Sequence, residues 1–186
     1  MININQTTAN YISHINELND KVIFYANAIQ FQSINLSEAV ACGELPLEIQ
    51  NLENCIYYIE LENANETDVN TICHFIAETK SSDKEIKYPK VNFPLQNAMN
   101  TILYIGKSKG KLKNRFRTHI KATPKSTFGL HLENWIQNEK FKHISLKLHY
   151  AVIDFIKDEE RSDDILEILE SGLHLHAKPL LGRIGH

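Results

Sequence analysis

A strand–turn–helix unit in the middle of the chain constrains the fold more than any other stretch. The run Ile-Leu-Tyr-Ile at 102–105 is typical of a β-strand, and Gly106 and Gly110 bracket the turn after it. Three apolar residues then recur at four-residue spacing and predict the buried face of a short helix: Leu112, Phe116 and Ile120. The strand therefore brings Tyr104 and Lys107 to the start of a helix whose other faces are cationic, which suits the binding of a phosphate group.

Charge is segregated along the sequence, although the net charge is only −3. Residues 1–85 contain three lysines against thirteen Asp and Glu, whereas residues 86–132 contain ten Lys and Arg and no Asp or Glu. Such a window is typical of a surface that faces a polyanion, and a solvated basic face without a partner is the alternative. We assign nucleic-acid binding to the cations around the turn and helix: Lys109, Lys111, Lys113, Arg117, Lys121 and Lys125.

Two further strands and a late helix complete the pattern. The stretch from Leu52 to Leu61 predicts a strand that carries a second tyrosine motif, Cys-Ile-Tyr-Tyr-Ile at 55–59, and the alternating residues 144–152 predict a third. The last helix begins near Ser162 and ends before Pro179. Its polar side carries three groups at three- and four-residue steps: Glu167, Glu170 and His174.

The order of these features resembles that of the GIY-YIG endonuclease family. The resemblance covers about residues 54–182 and rests on five features in sequence, namely the tripeptides 55–57 and 104–106, then Arg115, His119 and Glu170, which lies nine residues before Pro179. Two positions depart from the family pattern. Cys55 stands where the family usually has glycine, and Gly182 stands where it often has asparagine.

The resemblance implies an α+β fold with a small central three-stranded, mostly antiparallel β-sheet flanked by helices. Residues 51–186 then form the nuclease-like domain. Residues 62–100 form an insertion between the first two strands, because the family usually joins the two tripeptides by a much shorter link. Helical periodicity in residues 1–50 predicts an N-terminal helical extension outside the resemblance.

The implied activity is metal-dependent hydrolysis of phosphodiester bonds in DNA, as in stand-alone restriction or mobile-element nucleases. Glu170 is the expected metal ligand, because one carboxylate completed by water and substrate oxygens suits Mg²⁺, or Mn²⁺ in its place. Glu167 is the alternative ligand if the helix register differs by one turn. Arg115 is expected to grip the phosphate with its planar fork. His119, one helical turn later, is expected to donate or relay a proton.

The two motif tyrosines complete the implied catalytic set. By the resemblance, Tyr57 has the general-base role and Tyr104 a supporting one, although the sequence alone does not distinguish them. Lowering a phenol pKa from about 10 to about 7 requires about 4 kcal/mol. Positive charge on Lys107, Arg115 and a bound metal ion favours the phenolate and is the expected source of that energy.

Two other functions fit the same residues. One is a nucleic-acid-binding module of this fold without cleavage, and the other is an RNA-cleaving or toxin-like nuclease. The sequence has neither a secretory signal nor an apolar run of the roughly 18 residues that a membrane helix needs. The three cysteines (Cys42, Cys55 and Cys73) lack metal-ligand spacing and are predicted to be reduced thiols, so we expect a cytoplasmic protein without membrane contact.

Overall fold

Four β-strands form one sheet, and helices cover both of its faces. The computed structural model describes residues 4–83, 85–94, 99–121, 128–156 and 159–183. Its strands are β1 (Gln32–Asn35), β2 (Cys55–Glu62), β3 (Ile102–Ser108) and β4 (Ser145–Val152). Its α-helices are α1 (Ile4–Ala28), α2 (Leu36–Cys42), α3 (Leu47–Gln50), α4 (Glu66–Ser82), α5 (Leu112–Ile120) and α6 (Ser162–Ala177). The chain therefore belongs to the mixed α+β class, as predicted.

The sheet has the order β1-β4-β2-β3, and every strand pair is antiparallel. The central strand β2 places Tyr57 opposite Gly106 on β3 and opposite Tyr150 on β4. A bulge shifts the β2–β3 register between Ile59 and Glu60. The register sets one motif tyrosine beside the glycine of the other motif.

Alternating residues of β2 enter two separate hydrophobic clusters. Tyr57 and Ile59 belong to the larger cluster, together with apolar residues of α2, α4 and α5. Ile56 belongs to the smaller one, which it shares with Tyr25 of α1 and Ile165 of α6. The sheet is thus the middle of three layers, and β2 is buried on both faces.

The prediction of three strands was wrong, because the N-terminal extension supplies a fourth. Residues 32–35 pair with β4, and the Tyr150 hydroxyl donates a 2.9 Å hydrogen bond to Oε1 of Gln32. The segment Gln-Ser-Ile-Asn is short and mostly polar, so it has no alternating apolar pattern. Its strand conformation depends on a partner more than 100 residues away in sequence.

The predicted insertion forms part of the main core. Its helix α4 starts with a reciprocal cap in which the Asn65 side chain accepts from the Asp68 amide and the Asp68 carboxylate accepts from the Asn65 amide. Apolar residues of α4 then join the larger cluster: Val69, Ile72, Cys73 and Ile76. The chain returns to β3 past the C-terminal segment, where Val91 forms a β-bridge with Leu181.

Two further features complete the fold. The apolar stretch at residues 128–136 contains a short 3-10 turn at Leu132–Asn134, and a second 3-10 turn follows at Glu139–Phe141. Among the described residues no helix combines the length and apolar character needed to cross a membrane.

Candidate active site

The structure brings together five of the sequence-predicted site residues from four separate elements. Tyr57 lies on β2, Tyr104 on β3, Arg115 and His119 on α5, and Glu170 on α6. The start of α5 is tied to the segment before β2 by a 2.8 Å hydrogen bond from the Leu112 amide to the Leu52 carbonyl. This connection and the antiparallel β2–β3 pairing bring α5 close to the two motif tyrosines.

Arg115 connects the two motif tyrosines. Its Nε donates to the Tyr57 hydroxyl over 3.2 Å, and its Nη2 donates to the Tyr104 hydroxyl over 2.9 Å. The side chain is half-buried, and both hydroxyl groups belong to buried residues. Because neither acceptor carries a formal charge, these bonds orient the guanidinium fork without neutralising it.

His119 is fully buried behind the tyrosines. Its Nε2 lies 2.9 Å from the Tyr57 hydroxyl, and its Nδ1 has no hydrogen-bond partner among the described residues. Burial, together with the nearby Arg115 and His131, holds the pKa of His119 well below its usual range. The imidazole is therefore neutral, with one nitrogen able to accept a proton.

Burial also shifts the pKa of both motif tyrosines. It raises the pKa of Tyr57 well above its usual value, while Arg115 opposes the shift. The pKa of Tyr104 is raised for the same reason and is likewise opposed by Arg115. The sequence analysis expected nearby cations to lower the tyrosine pKa, but in this structure desolvation outweighs them and the pKa of both tyrosines is raised.

Glu170 faces this group from α6. The carboxyl is half-buried, and burial raises its pKa to about 7. Lys107 lowers that pKa, Glu167 raises it, and Arg115 lowers it. Lys107, at the end of β3, forms an ion pair with Glu167, so this lysine belongs to the carboxylate side of the site.

Gly106 creates the space in which the two tyrosines meet. A Cβ atom at this position would lie 2.5 Å from the Tyr57 hydroxyl oxygen and 2.8 Å from Cε1 of Tyr104. Both distances are shorter than any normal carbon contact, so the site requires glycine here. The sequence indicated a turn at this residue and did not reveal its packing role.

The two departures from the family pattern have structural explanations. Burial raises the pKa of the Cys55 thiol to about 12, which makes this residue a small core side chain and not a nucleophile. Gly182 has φ of 116°, and a Cβ there would lie 3.1 Å from Cε1 of His174. An asparagine at 182 would therefore be strained in this backbone.

Two buried histidines near the site were not predicted as site residues. His131 contributes to the low pKa of His119, and Nε2 of His174 lies 3.2 Å from the Ile105 carbonyl oxygen. His174 shares a helix side with Glu170 at a four-residue step, which was a visible signal. No comparable pattern in the sequence marks His131.

The predicted nucleic-acid-binding cations lie on different sides of α5. Lys109 forms a 2.6 Å ion pair with Asp163, and Lys111 is exposed at the N-terminus of the helix. Three others line a cavity of about 270 Å³ between α5 and the α2–α3 connection: Lys113, Arg117 and Lys121. Lys125 lies outside the described residues.

The described residues contain no group of three or more His, Cys, Asp and Glu side chains arranged to hold a metal ion. No family model matches the chain, and no curated protein or solved structure matches it either.

Replacing Gly106 by alanine is expected to destabilise the fold by about 1–3 kcal/mol, because the new methyl group overpacks both tyrosines. Gly110→Ala is the matched control, since a Cβ at that position meets nothing within 4 Å. Urea unfolding of the two variants and the wild type measures the difference. Equal stabilities of the two alanine variants would contradict the packing role of Gly106.

Glu170→Gln is expected to stabilise the protein at pH 8. The pKa of about 7 in the folded state exceeds the usual glutamate value of 4.5, so the folded state loses stability as pH rises through that window. Glutamine removes this penalty, and we expect a gain of about 1–3 kcal/mol at pH 8 that shrinks towards pH 4.5. Urea unfolding at both pH values measures it.

The exposed Glu160 supplies the control for that experiment. Glu160→Gln removes the same charge and is expected to change stability by less than about 0.5 kcal/mol at either pH. The stability difference between Glu170→Gln and wild type should therefore be larger at pH 8 than at pH 4.5. An equal difference at both pH values would show that ionisation of Glu170 does not destabilise the folded state.

Proposed function

We propose that the chain is a metal-dependent endonuclease that hydrolyses phosphodiester bonds in DNA. The observation that carries the proposal is the shared hydrogen bonding of Arg115 to Tyr57 and Tyr104, with Glu170 facing the same group from α6. Hydrolysis of a phosphodiester requires a cation on the phosphoryl oxygens, a route for the proton of the attacking water, and charge stabilisation at the leaving oxygen. These five residues supply groups for each requirement.

Arg115 is the proposed phosphate-binding residue. The two phenol hydroxyls hold its fork in one orientation, and partial burial strengthens its attraction for an anion compared with an exposed arginine. Because the guanidinium is oriented before substrate binds, less free energy is needed to reorganise the site when the transition state forms. The exposed cations of α5 and of the preceding turn are the proposed contacts to neighbouring phosphates.

Tyr57 and His119 form the proposed proton path. The Tyr57 hydroxyl is fully buried in the resting site, so substrate binding would have to bring the attacking water to it. The water would then transfer a proton to the Tyr57 oxygen as the phenol proton passes to Nε2 of His119 over the 2.9 Å contact. In the resting site both groups are neutral, so the path becomes active only when positive charge near the phenol increases. Tyr104 supports it by holding the other end of the Arg115 fork.

Glu170 is the proposed ligand for Mg²⁺ or Mn²⁺. A single half-buried carboxylate fits such an ion, because Mg²⁺ keeps several waters and takes substrate phosphate oxygens as further ligands. Bound there, the metal would supply positive charge to the phosphoryl group and favour ionisation of nearby water and phenol groups. Lys107 and Glu167 limit the local charge by pairing with each other.

Wild-type protein is expected to nick or linearise supercoiled plasmid DNA with Mg²⁺ and to leave it intact with EDTA. Glu170→Gln is expected to lower the rate by at least about 10²–10³-fold, the effect typical of removing one electrostatic stabiliser. Glu160→Gln, which removes an exposed carboxylate, is expected to cut at the wild-type rate. Gel electrophoresis of time courses measures all three.

The outcomes separate the competing functions. Wild-type protein that binds DNA at low salt without cutting it would favour the non-cleaving binding module. Cleavage of RNA with intact plasmid would favour the RNA-cleaving nuclease. If Glu170→Gln cuts DNA at the full rate in a metal-dependent reaction, Glu170 is not the metal ligand.

The cleavage rate is expected to rise with pH around neutrality, because the Glu170 carboxyl has a pKa of about 7 and must lose its proton to bind a metal ion. Protons and metal compete for the same carboxylate, so raising the Mg²⁺ concentration should move the midpoint of the pH profile downwards. Initial rates measured across pH at limiting and saturating Mg²⁺ give both midpoints. A midpoint that does not depend on Mg²⁺ would assign the titration to another group.

A further inference from the structure

A second cationic pocket adjoins the candidate active site at the C-terminal end of α6. Its volume is about 540 Å³, and the described residues that line it include no Asp or Glu. Three exposed cations surround it: Lys90, Lys178 and Arg183. Lys90 lies in the insertion, Lys178 directly follows α6, and Arg183 lies in the C-terminal segment. The three cations therefore come together from separate parts of the chain and do not belong to one helix face or one run of charge.

The wall of this pocket is held by hydrogen bonds that occupy its backbone carbonyl oxygens. The Asn92 side chain donates to the carbonyls of Pro179 and Gly182, each over 3.0 Å. The Asn92 amide donates to Leu180, and the Gly182 amide donates to Lys90. These bonds join the segments that carry Lys90 and Arg183, and no Asp or Glu among the described lining residues offsets the charge of the three cations.

One wall of the pocket lies next to Tyr104 of the site proposed for cleavage. Gly182 lines it, and a Cβ built on Gly182 would lie 3.6 Å from Cε2 of Tyr104. His174 also lines it and follows Glu170 by four residues on α6. Four helical residues span about 6 Å, which is close to the axial rise of two nucleotides of B-DNA.

We infer that this pocket binds backbone phosphate of the DNA strand next to the phosphate that is cut, an inference that rests on the proposed function. Lys90, Lys178 and Arg183 provide the positive charge. Lys90 gives the insertion a role in binding substrate. The pocket and the cations of the α5 region then contact the strand on two sides of the catalytic group.

The test measures DNA binding without cleavage. In a Glu170→Gln background with EDTA, fluorescence anisotropy follows binding to a labelled duplex of about 20 base pairs as NaCl is varied. The pocket variant is Lys178→Asn/Arg183→Gln. Asparagine is chosen at 178 because this residue has φ of 49°, a left-handed conformation that asparagine tolerates. Lys90→Gln alone tests the contribution of the insertion.

The matched control is Lys140→Gln/Lys142→Gln, which removes two exposed lysines from the second 3-10 turn and its end. Both double variants lower the net charge by the same amount. The pocket variant is expected to reduce the slope of log K against log salt by about 1–2 and to weaken low-salt binding by about tenfold or more, because each phosphate contact contributes about 0.9 to the slope. The control is expected to change the slope by less than about 0.5.

Equal effects of the pocket and control variants, or no effect of either, would overturn the inference while leaving the nuclease proposal in place. A pocket-specific effect in a protein that never cuts DNA would overturn the nuclease proposal and leave the binding site. Failure of the Glu170→Gln parent to bind the duplex at low salt would overturn the inference. Urea unfolding confirms that each variant is folded as stably as its parent.

Discussion

The bonds from Arg115 to the hydroxyls of Tyr57 and Tyr104 are the interaction on which the rest of the site depends. They require the β2–β3 register that puts Tyr57 opposite Gly106, and they require a glycine there to admit both rings. They also leave the guanidinium charge unneutralised, because phenols accept hydrogen bonds without supplying negative charge. The fold thereby holds an oriented cation in a half-buried position, where its attraction for phosphate is screened less than at the surface.

The burial that orients Arg115 also suppresses the other charges of the resting site. Tyr57 and His119 are neutral because the sheet and α5 exclude water from them, and the Glu170 pKa of about 7 has the same cause. In the proposed nuclease, a bound phosphate or divalent cation would change the field at all three groups at once, which would couple proton transfer and metal binding to substrate binding.

The sequence predicted the parts of this arrangement that follow from local periodicity. The strands at residues 52–61 and 102–105 were visible as runs of strand-forming residues, and the strand at 144–152 was visible as an alternation. The apolar face of α5 and the polar side of α6 were visible as repeats of three or four residues. The β1 strand was not visible, because Gln32–Asn35 has little apolar character and depends on its pairing with β4. The degree of burial was not visible either. Tyr57 is buried in the larger cluster by segments distant in sequence, and only the assembled core determines its pKa.

The segments outside the strand–turn–helix unit are therefore part of the site. The insertion buries α4 in the main core and then returns along the C-terminal segment, where Asn92 bonds to the carbonyls of Pro179 and Gly182. Leu181 in that segment bridges to Tyr104, so the support of a motif tyrosine includes residues on both sides of the central unit. The Arg115 bond to Tyr104 thus depends on a wall that the motifs themselves do not encode. Consider a chain with the same motifs but a short link in place of residues 62–100. Such a chain would need another way to hold Tyr104, and it would lack Lys90 in the adjoining pocket.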